Sequence, residues 1–123
     1  MNLLQFVEKL EQEAAEFGFR WETSAQIMQQ IQSECNEVTE HLMSVEPNRC
    51  ALQEEIGDLL HAVFSLCVFC DFSPEETLKK TLEKFDKRLK MVKTITYEEQ
   101  LTSLQGKPFD ELMRIWNLAK SRT

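Results

Sequence analysis

The chain has 123 residues, of which 42% are hydrophobic and 28% charged, a composition typical of a folded globular protein and not of a disordered one. Its formal net charge of −7 argues against a general electrostatic interface for a nucleic-acid polymer or for an anionic membrane. Three glycines and three prolines are too few for a turn-rich β-protein, so we predict an all-α fold that forms one domain over residues 1–123.

Apolar spacing and capping residues predict helices along the whole chain. The first predicted helix begins at Leu3 and ends near Gly18, and the second runs over about residues 23–43. The third covers about 49–70. A serine, a proline and two glutamates at 73–76 then predict the start of a fourth helix that ends near Lys93. A capped turn at Thr96 and a short helix after Pro108 follow.

This order of elements predicts an antiparallel bundle of about four main helices with a short C-terminal helix. The motifs described below fall within residues 27–95, and residues 96–123 form a helical appendage. Apolar stripes on the first and last helices predict burial against a partner subunit, and therefore at least a homodimer. The residues of these stripes are Leu3, Val7, Leu10, Leu112, Ile115 and Trp116.

The N-terminal residues include acids where a secretory leader would be apolar, and the longest apolar run, 59–72, is too short to span a bilayer. We therefore expect a cytoplasmic protein with no membrane partner. The four cysteines do not suggest a disulfide framework at this length. Cys67 and Cys70 have CxxC spacing inside an apolar helical run, so we expect buried thiols there; a metal or redox site is the alternative.

Two carboxylate pairs stand out on consecutive helices. Glu34 and Glu37 lie three residues apart on the second helix, as Glu55 and Asp58 do on the third, so each pair shares a helical face. A short connection makes the two helices antiparallel neighbours, and four close carboxylates need protonation, solvent or a hard cation such as Mg²⁺ or Mn²⁺. Gly57 between the second pair suggests close approach by a backbone or ligand. The alternative is a solvated acidic face.

The motifs themselves resemble a known family. The segments "ECNEV", "QEEIGDLLHAVFSL" and "SPEETLKKTLEKFDKRLKMV" occur in the order seen in the MazG-like, all-α nucleoside triphosphate pyrophosphohydrolases. Their signature is an ExxE followed, after a loop, by an ExxD and then by a KFxxR segment. The resemblance extends over about residues 27–120.

The resemblance implies Mg²⁺-dependent hydrolysis of a nucleoside or deoxynucleoside triphosphate at the α-phosphate, giving a monophosphate and pyrophosphate, and a role in clearing nucleotide pools. It also implies a homodimer or homotetramer. The family pattern assigns the metal to Glu34, Glu37, Glu55 and Asp58 and the phosphate tail to Lys84, Lys87 and Arg88, and we expect Glu34 or Glu37 to be the general base. The family often has an aromatic residue ahead of its ExxE helix, so Trp21 is a candidate for stacking on the base, although its spacing to Glu34 does not clearly match that pattern.

Several alternatives remain at this point. The three cations form a solvated basic face in the simplest interpretation, and Trp21 packs in a core or an interface. Asparagines common in the family are replaced by Ser65 and Leu82, which puts the nucleotide preference in doubt. The histidines His41 and His61 are either partners of metal-binding carboxylates or ordinary half-buried side chains. Two other classes are a non-catalytic oligomeric helical module and a di-iron carboxylate bundle.

Overall fold

The computed structural model describes residues 1–123 and contains five α-helices and no strand, which confirms the all-α class. No single helix is both long enough and apolar enough to cross a bilayer. The helices are α1 (Leu3–Phe17), α2 (Ser24–Leu42), α3 (Arg49–Phe69), α4 (Pro74–Glu98) and α5 (Phe109–Arg122).

Side-chain caps determine where the first three helices begin. Asn2 and Thr23 each accept a hydrogen bond from a backbone N–H three residues further on and complete a capping box with a glutamine, at the starts of α1 and α2. Asn48 caps α3 through the N–H of Ala51. At the other end of α1, Gly18 takes the left-handed conformation with φ +98°, which an L side chain rarely adopts. The bounds predicted for these three helices are therefore confirmed to within a residue or two.

The chain forms two compact units, Met1–Thr77 and Leu78–Thr123. In the first unit, α3 packs against both α2 and α1, and the short 43–48 connection makes α2 and α3 antiparallel neighbours. Ile27 from α2 and Leu52 and Ala62 from α3 are buried. The first unit therefore holds the two helices that carry the predicted carboxylate pairs. That residues 1–123 make up a single domain stays a prediction.

In the second unit, α4 continues five residues beyond the predicted end at Lys93. The predicted capped turn at Thr96 is wrong: Thr96 is buried, and its hydroxyl donates to the carbonyl oxygen of Val92 at 2.8 Å. Threonine in a sequence is typical of a helix N-cap, but inside a helix its hydroxyl can donate a hydrogen bond to a backbone carbonyl of the preceding turn.

A small core explains why α4 continues. Ile95, Ile115 and Ala119 are each at most 1% exposed and pack together, so the last turns of α4 and the inner face of α5 cover each other. The expectation that a partner subunit buries the stripe of α5 is therefore wrong at Ile115, because its own chain already buries it. Two ion pairs connect α5 to the end of α4: Arg122 pairs with Glu98, the last residue of α4, at 2.9 Å, and Arg114 pairs with Glu99, the residue after it, at 2.7 Å.

Candidate metal and nucleotide site

Three of the four predicted metal-binding carboxylates converge. Glu34 and Glu37 from α2 and Glu55 from α3 each place one oxygen so that all three oxygens lie within 4.8 Å of one another. The three-residue spacing puts the first two on one face of α2, and α3 brings Glu55 against that face. Asp58 is exposed and lies outside this group, although its charge still acts on Glu34 and Glu37. We call Glu34, Glu37 and Glu55 the carboxylate cluster.

The pKa values of two glutamates in this cluster, Glu34 and Glu37, are raised. Burial raises the pKa of Glu34 above its ordinary value of 4.5, against an opposing effect of the Gln30 hydrogen bond, and the charges of Glu37 and Asp58 add to the rise. A hydrogen bond with Glu55, and then the charge of Glu55, raise the pKa of Glu37. The folded chain therefore concentrates negative charge here at a cost in free energy.

Two buried oxygens of the cluster have no hydrogen-bond partner. Glu34 is only 8% exposed, and its Oε1 accepts a hydrogen bond from Gln30 Nε2 at 2.6 Å. Its other oxygen, Oε2, is buried without a partner, as is Oε2 of Glu55. Buried carboxylate oxygens nearly always have a partner, and desolvating one without any is costly. Oxygen donors in this number and of this charge fit a hard divalent cation such as Mg²⁺ or Mn²⁺.

Only one of the two histidines lies near the cluster. His41 is partly exposed, with Nε2 3.9 Å from Glu55 Oε1, which is too long for a hydrogen bond. His61 is 64% exposed and contacts Glu11 on α1, with Nε2 2.7 Å from Oε1. The cluster therefore contains no histidine, whereas a di-iron bundle requires histidine ligands next to its carboxylates.

Glu11 is a residue that the sequence analysis missed. Its Oε1 also accepts a hydrogen bond at 2.6 Å from the hydroxyl of Ser65, a side chain only 4% exposed. The signal was available, because Glu11 lies four residues after Val7 and three before Ala14, in the apolar stripe of α1. A carboxylate within such a stripe usually has a buried polar partner.

A cavity of about 550 Å³ adjoins the cluster in the same unit. Gln30 connects the two, because it lines the cavity and donates the hydrogen bond to Glu34. The half-buried Trp21, which we predicted to bind substrate, is part of the wall. The lining side chains are polar apart from this indole, and they are Arg20, Trp21, Glu22, Gln26, Gln29, Gln30 and Ser33.

The predicted substrate-binding cations belong to the second unit. Lys84 and Lys87 are exposed and form no salt bridge. Arg88 is half-buried, with its guanidinium carbon 5.9 Å from the ring centroid of Trp116, and its Nε is buried without a hydrogen-bond partner. Phe85 packs against the same indole at 5.8 Å. Sequence reasoning placed Trp116 only in an apolar stripe and missed this contact with Arg88.

Of two other expectations about the first unit, the one about the cysteines is wrong. The one about Gly57 is wrong only for approach by another part of this chain, and approach by a ligand stays a prediction. Cys70 is exposed and Cys67 only half-buried, and both are free, so the pair does not form the buried thiols that the apolar run predicts. Nothing lies within 4 Å of the position that a Cβ on Gly57 would occupy. Close approach by another part of this chain therefore does not explain that glycine.

Comparison with known proteins agrees with this geometry, in which an all-α chain gathers carboxylates from two adjacent helices. Residues 22–93 match the family model of the MazG nucleotide pyrophosphohydrolase domain, and the chain belongs to this family.

Two named relatives align with 117 residues, or 95%, of this chain. The nucleoside triphosphate pyrophosphohydrolase/pyrophosphatase MazG of Thermotoga maritima is 29% identical, and the nucleoside triphosphate pyrophosphohydrolase of Escherichia coli K12 is 27% identical. The aligned region is 44% of each of these proteins, so the chain spans less than half the length of either relative. An uncharacterized Bacillus subtilis protein, YabN, is 31% identical over 77 residues, 63% of this chain and 16% of that protein.

Proposed function

We propose that the chain hydrolyses a nucleoside or deoxynucleoside triphosphate at the α-phosphate, releasing the nucleoside monophosphate and pyrophosphate. Membership of the family and the activity for which the two relatives are named support this reaction. The structural observation that carries the proposal is the pair of buried, unpartnered oxygens, Glu34 Oε2 and Glu55 Oε2, in a cluster with Glu37. Clearing of nucleotide pools is the role that we propose for this activity.

The cluster would hold Mg²⁺, or Mn²⁺ in its place, through Glu34, Glu37 and Glu55, with Asp58 as the fourth predicted ligand. A divalent cation bound there supplies Lewis-acid activation of water and charge balance for the phosphates. Glu37 is the exposed member of the cluster, so water can reach its carboxylate. For that reason we propose Glu37 as the general base that takes the proton of the attacking water, and Glu34 as a ligand.

Two further groups are proposed to bind the substrate. Trp21 offers an indole face to a base at the wall of the 550 Å³ cavity, whose size is within the range of small-molecule sites. Arg88, with an unpartnered Nε, is proposed to bind phosphate oxygens together with Lys84 and Lys87, because phosphates need donors wherever a cation does not cover them.

We also propose that the chain forms a homodimer or homotetramer in the cytoplasm. Exposed apolar side chains on α1 support self-association, since Leu3 is 76% and Leu10 47% exposed while Val7 between them is half-buried. Four free cysteines suit a reducing compartment.

Pyrophosphate release from a panel of ribo-, deoxyribo- and modified nucleoside triphosphates tests the reaction, with Mg²⁺ and with EDTA. We expect metal-dependent pyrophosphate, reduced by about 10²- to 10⁴-fold in Glu37→Gln and strongly in Asp58→Asn. Glu40→Gln is the matched control, because it removes the same charge from an exposed position of α2 outside the cluster. Release of orthophosphate would contradict attack at the α-phosphate, and no release from the panel would favour a non-catalytic module.

A further inference from the structure

Gln30 contacts the carboxylate cluster and lines the cavity, and the proposed reaction assigns it no role. It lies four residues before Glu34 on α2, so the two side chains share one face of the helix. Its Nε2 donates to Glu34 Oε1 at 2.6 Å. The same side chain lines the cavity that contains Trp21.

The hydrogen bond fixes the orientation of the Gln30 amide and of the Glu34 carboxylate. A carboxylate can only accept, so the amide must turn its NH₂ group toward Glu34. Because Oε1 of Glu34 is engaged in this way, the buried Oε2 is the one oxygen of this carboxylate left without a partner. A nearly buried glutamate with one oxygen held by a donor has lost most of its rotational freedom before any ligand arrives.

We infer that Gln30 is a positioning residue, which holds the Glu34 carboxylate with Oε2 available to the divalent cation. This inference rests on the proposed cation site, and it adds a residue outside the ExxE and ExxD motifs to it. Hydrogen bonds that orient a metal-binding carboxylate contribute to the affinity for the metal without contacting it. Gln30 therefore affects how tightly the cation binds, and it takes no part in the proton transfer.

Binding of Mn²⁺ alone to the full chain tests the inference, with free Mn²⁺ measured by electron paramagnetic resonance. Gln30→Met keeps the length of the side chain and removes the donor, and Gln30→Ala is the second variant. Both should raise the Kd for Mn²⁺ by about 10- to 100-fold. Gln32→Met is the matched control: it makes the same change at an exposed position of the same helix, and its Kd should stay within about twofold of the wild type.

If Gln30 only stabilised the fold, its replacement would lower the rate without changing the Mn²⁺ concentration needed for half-maximal rate. With Mn²⁺ titrated into the pyrophosphate assay, Gln30→Met should need about tenfold more Mn²⁺ for half-maximal rate, whereas Gln32→Met should need the same concentration as the wild type. A Kd unchanged in both Gln30 variants, an equal loss in Gln32→Met, or no Mn²⁺ binding by the wild type would overturn the inference.

The outcomes for Gln30 and for the reaction are separable. Weaker Mn²⁺ binding in the Gln30 variants of a chain that releases no pyrophosphate supports the positioning role and contradicts the proposed reaction. Pyrophosphate release by a chain whose Gln30 variants bind Mn²⁺ normally supports the reaction and contradicts the positioning role.

Discussion

At the scale of single residues, the buried glutamate of the cluster makes stability depend on pH. Burial raises the folded-state pKa of Glu34 above the ordinary 4.5, so between these two values the folded chain binds more protons than the unfolded chain. The free energy of unfolding therefore falls as the pH rises through that interval. A cation at the cluster would restore the lost free energy of unfolding, because it balances the charge that burial disfavours.

The variant Glu34→Gln, which cannot ionise, should lack this dependence. In EDTA, the Tm of Glu34→Gln relative to the wild type should increase as the pH is raised from about 4.5 to about 7. Saturating Mn²⁺ should narrow the difference by stabilising the wild type alone. Thermal unfolding followed by circular dichroism measures both effects, and Glu40→Gln should follow the wild type. A constant difference across this pH range would contradict the role assigned to burial.

Glu11 provides a second prediction at this scale. Replacing it with alanine leaves the buried hydroxyl of Ser65 without its acceptor, so Glu11→Ala should lower the free energy of unfolding by about 1–3 kcal/mol. Urea unfolding measures the change. Glu13→Ala makes the same substitution at an exposed position of α1 and should cost less than about 0.5 kcal/mol. Equal costs at the two positions would show that the contact with Ser65 contributes nothing.

At the scale of helices, Gly57 lowers the helix propensity of α3, although there is room for a side chain at its position. Glycine inside a helix costs about 1 kcal/mol relative to alanine, and an added Cβ would meet nothing within 4 Å in this chain. Gly57→Ala should therefore raise the free energy of unfolding of the isolated chain by about 0.5–1 kcal/mol.

The same variant tests whether a ligand or a partner chain approaches the open space at Gly57. Gly57 lies between Glu55 and Asp58, so a nucleotide or a second chain that comes close there would be hindered by the new methyl group. Higher stability with a raised KM for nucleotide would indicate a ligand, and higher stability with weaker self-association would indicate a partner chain. Lower stability would contradict the assignment of open space, and Ala51→Gly on the same helix is the reciprocal control for propensity.

Sequence alone located the helices well where caps determine them and poorly where packing does. Asn2, Thr23 and Asn48 lie directly before apolar periodic segments, and their side chains start the helices by bonding the first free N–H groups. The end of α4 was not predictable in this way. It depends on Ile95 packing against Ile115 from another helix, and local propensity does not include that contact.

The same distinction applies to the candidate site. The spacing of Glu34 and Glu37 places them on one face by helical geometry alone, so their proximity was predictable. The contact of Arg88 with Trp116 and that of Glu11 with Ser65 join residues 28 and 54 positions apart, and the second depends on how α1 packs on α3. Such pairs become visible only after packing is known.

At the scale of the whole molecule, the apolar surface of α3 favours self-association. Ile56, Leu60 and Val63 follow four- and three-residue spacing, so they share one face, and each is between 41% and 54% exposed. Burying a leucine contributes about 1.5–3 kcal/mol, so Leu60→Lys should weaken dimer formation by about tenfold or more. Sedimentation equilibrium measures the change.

The control for that experiment is a loop residue. Val45 is 97% exposed and lies between α2 and α3, so Val45→Lys introduces the same charge away from the α3 face and should leave the dimer constant within about twofold. A wild-type chain that stays monomeric at every concentration would contradict self-association altogether.

The positions of the two tryptophans have a further consequence. Trp21 belongs to the first unit, at the wall of the cavity, and Trp116 belongs to the second, where it contacts Phe85 and Arg88. The chain therefore carries one tryptophan in each unit, and the tryptophans can be excited selectively over the single tyrosine, Tyr97. Trp116→Phe leaves an emission signal that reports on the cavity, and Trp21→Phe leaves one that reports on the α4–α5 core. The two unfolding curves, recorded without any added dye, would coincide only if both units melt in one cooperative transition.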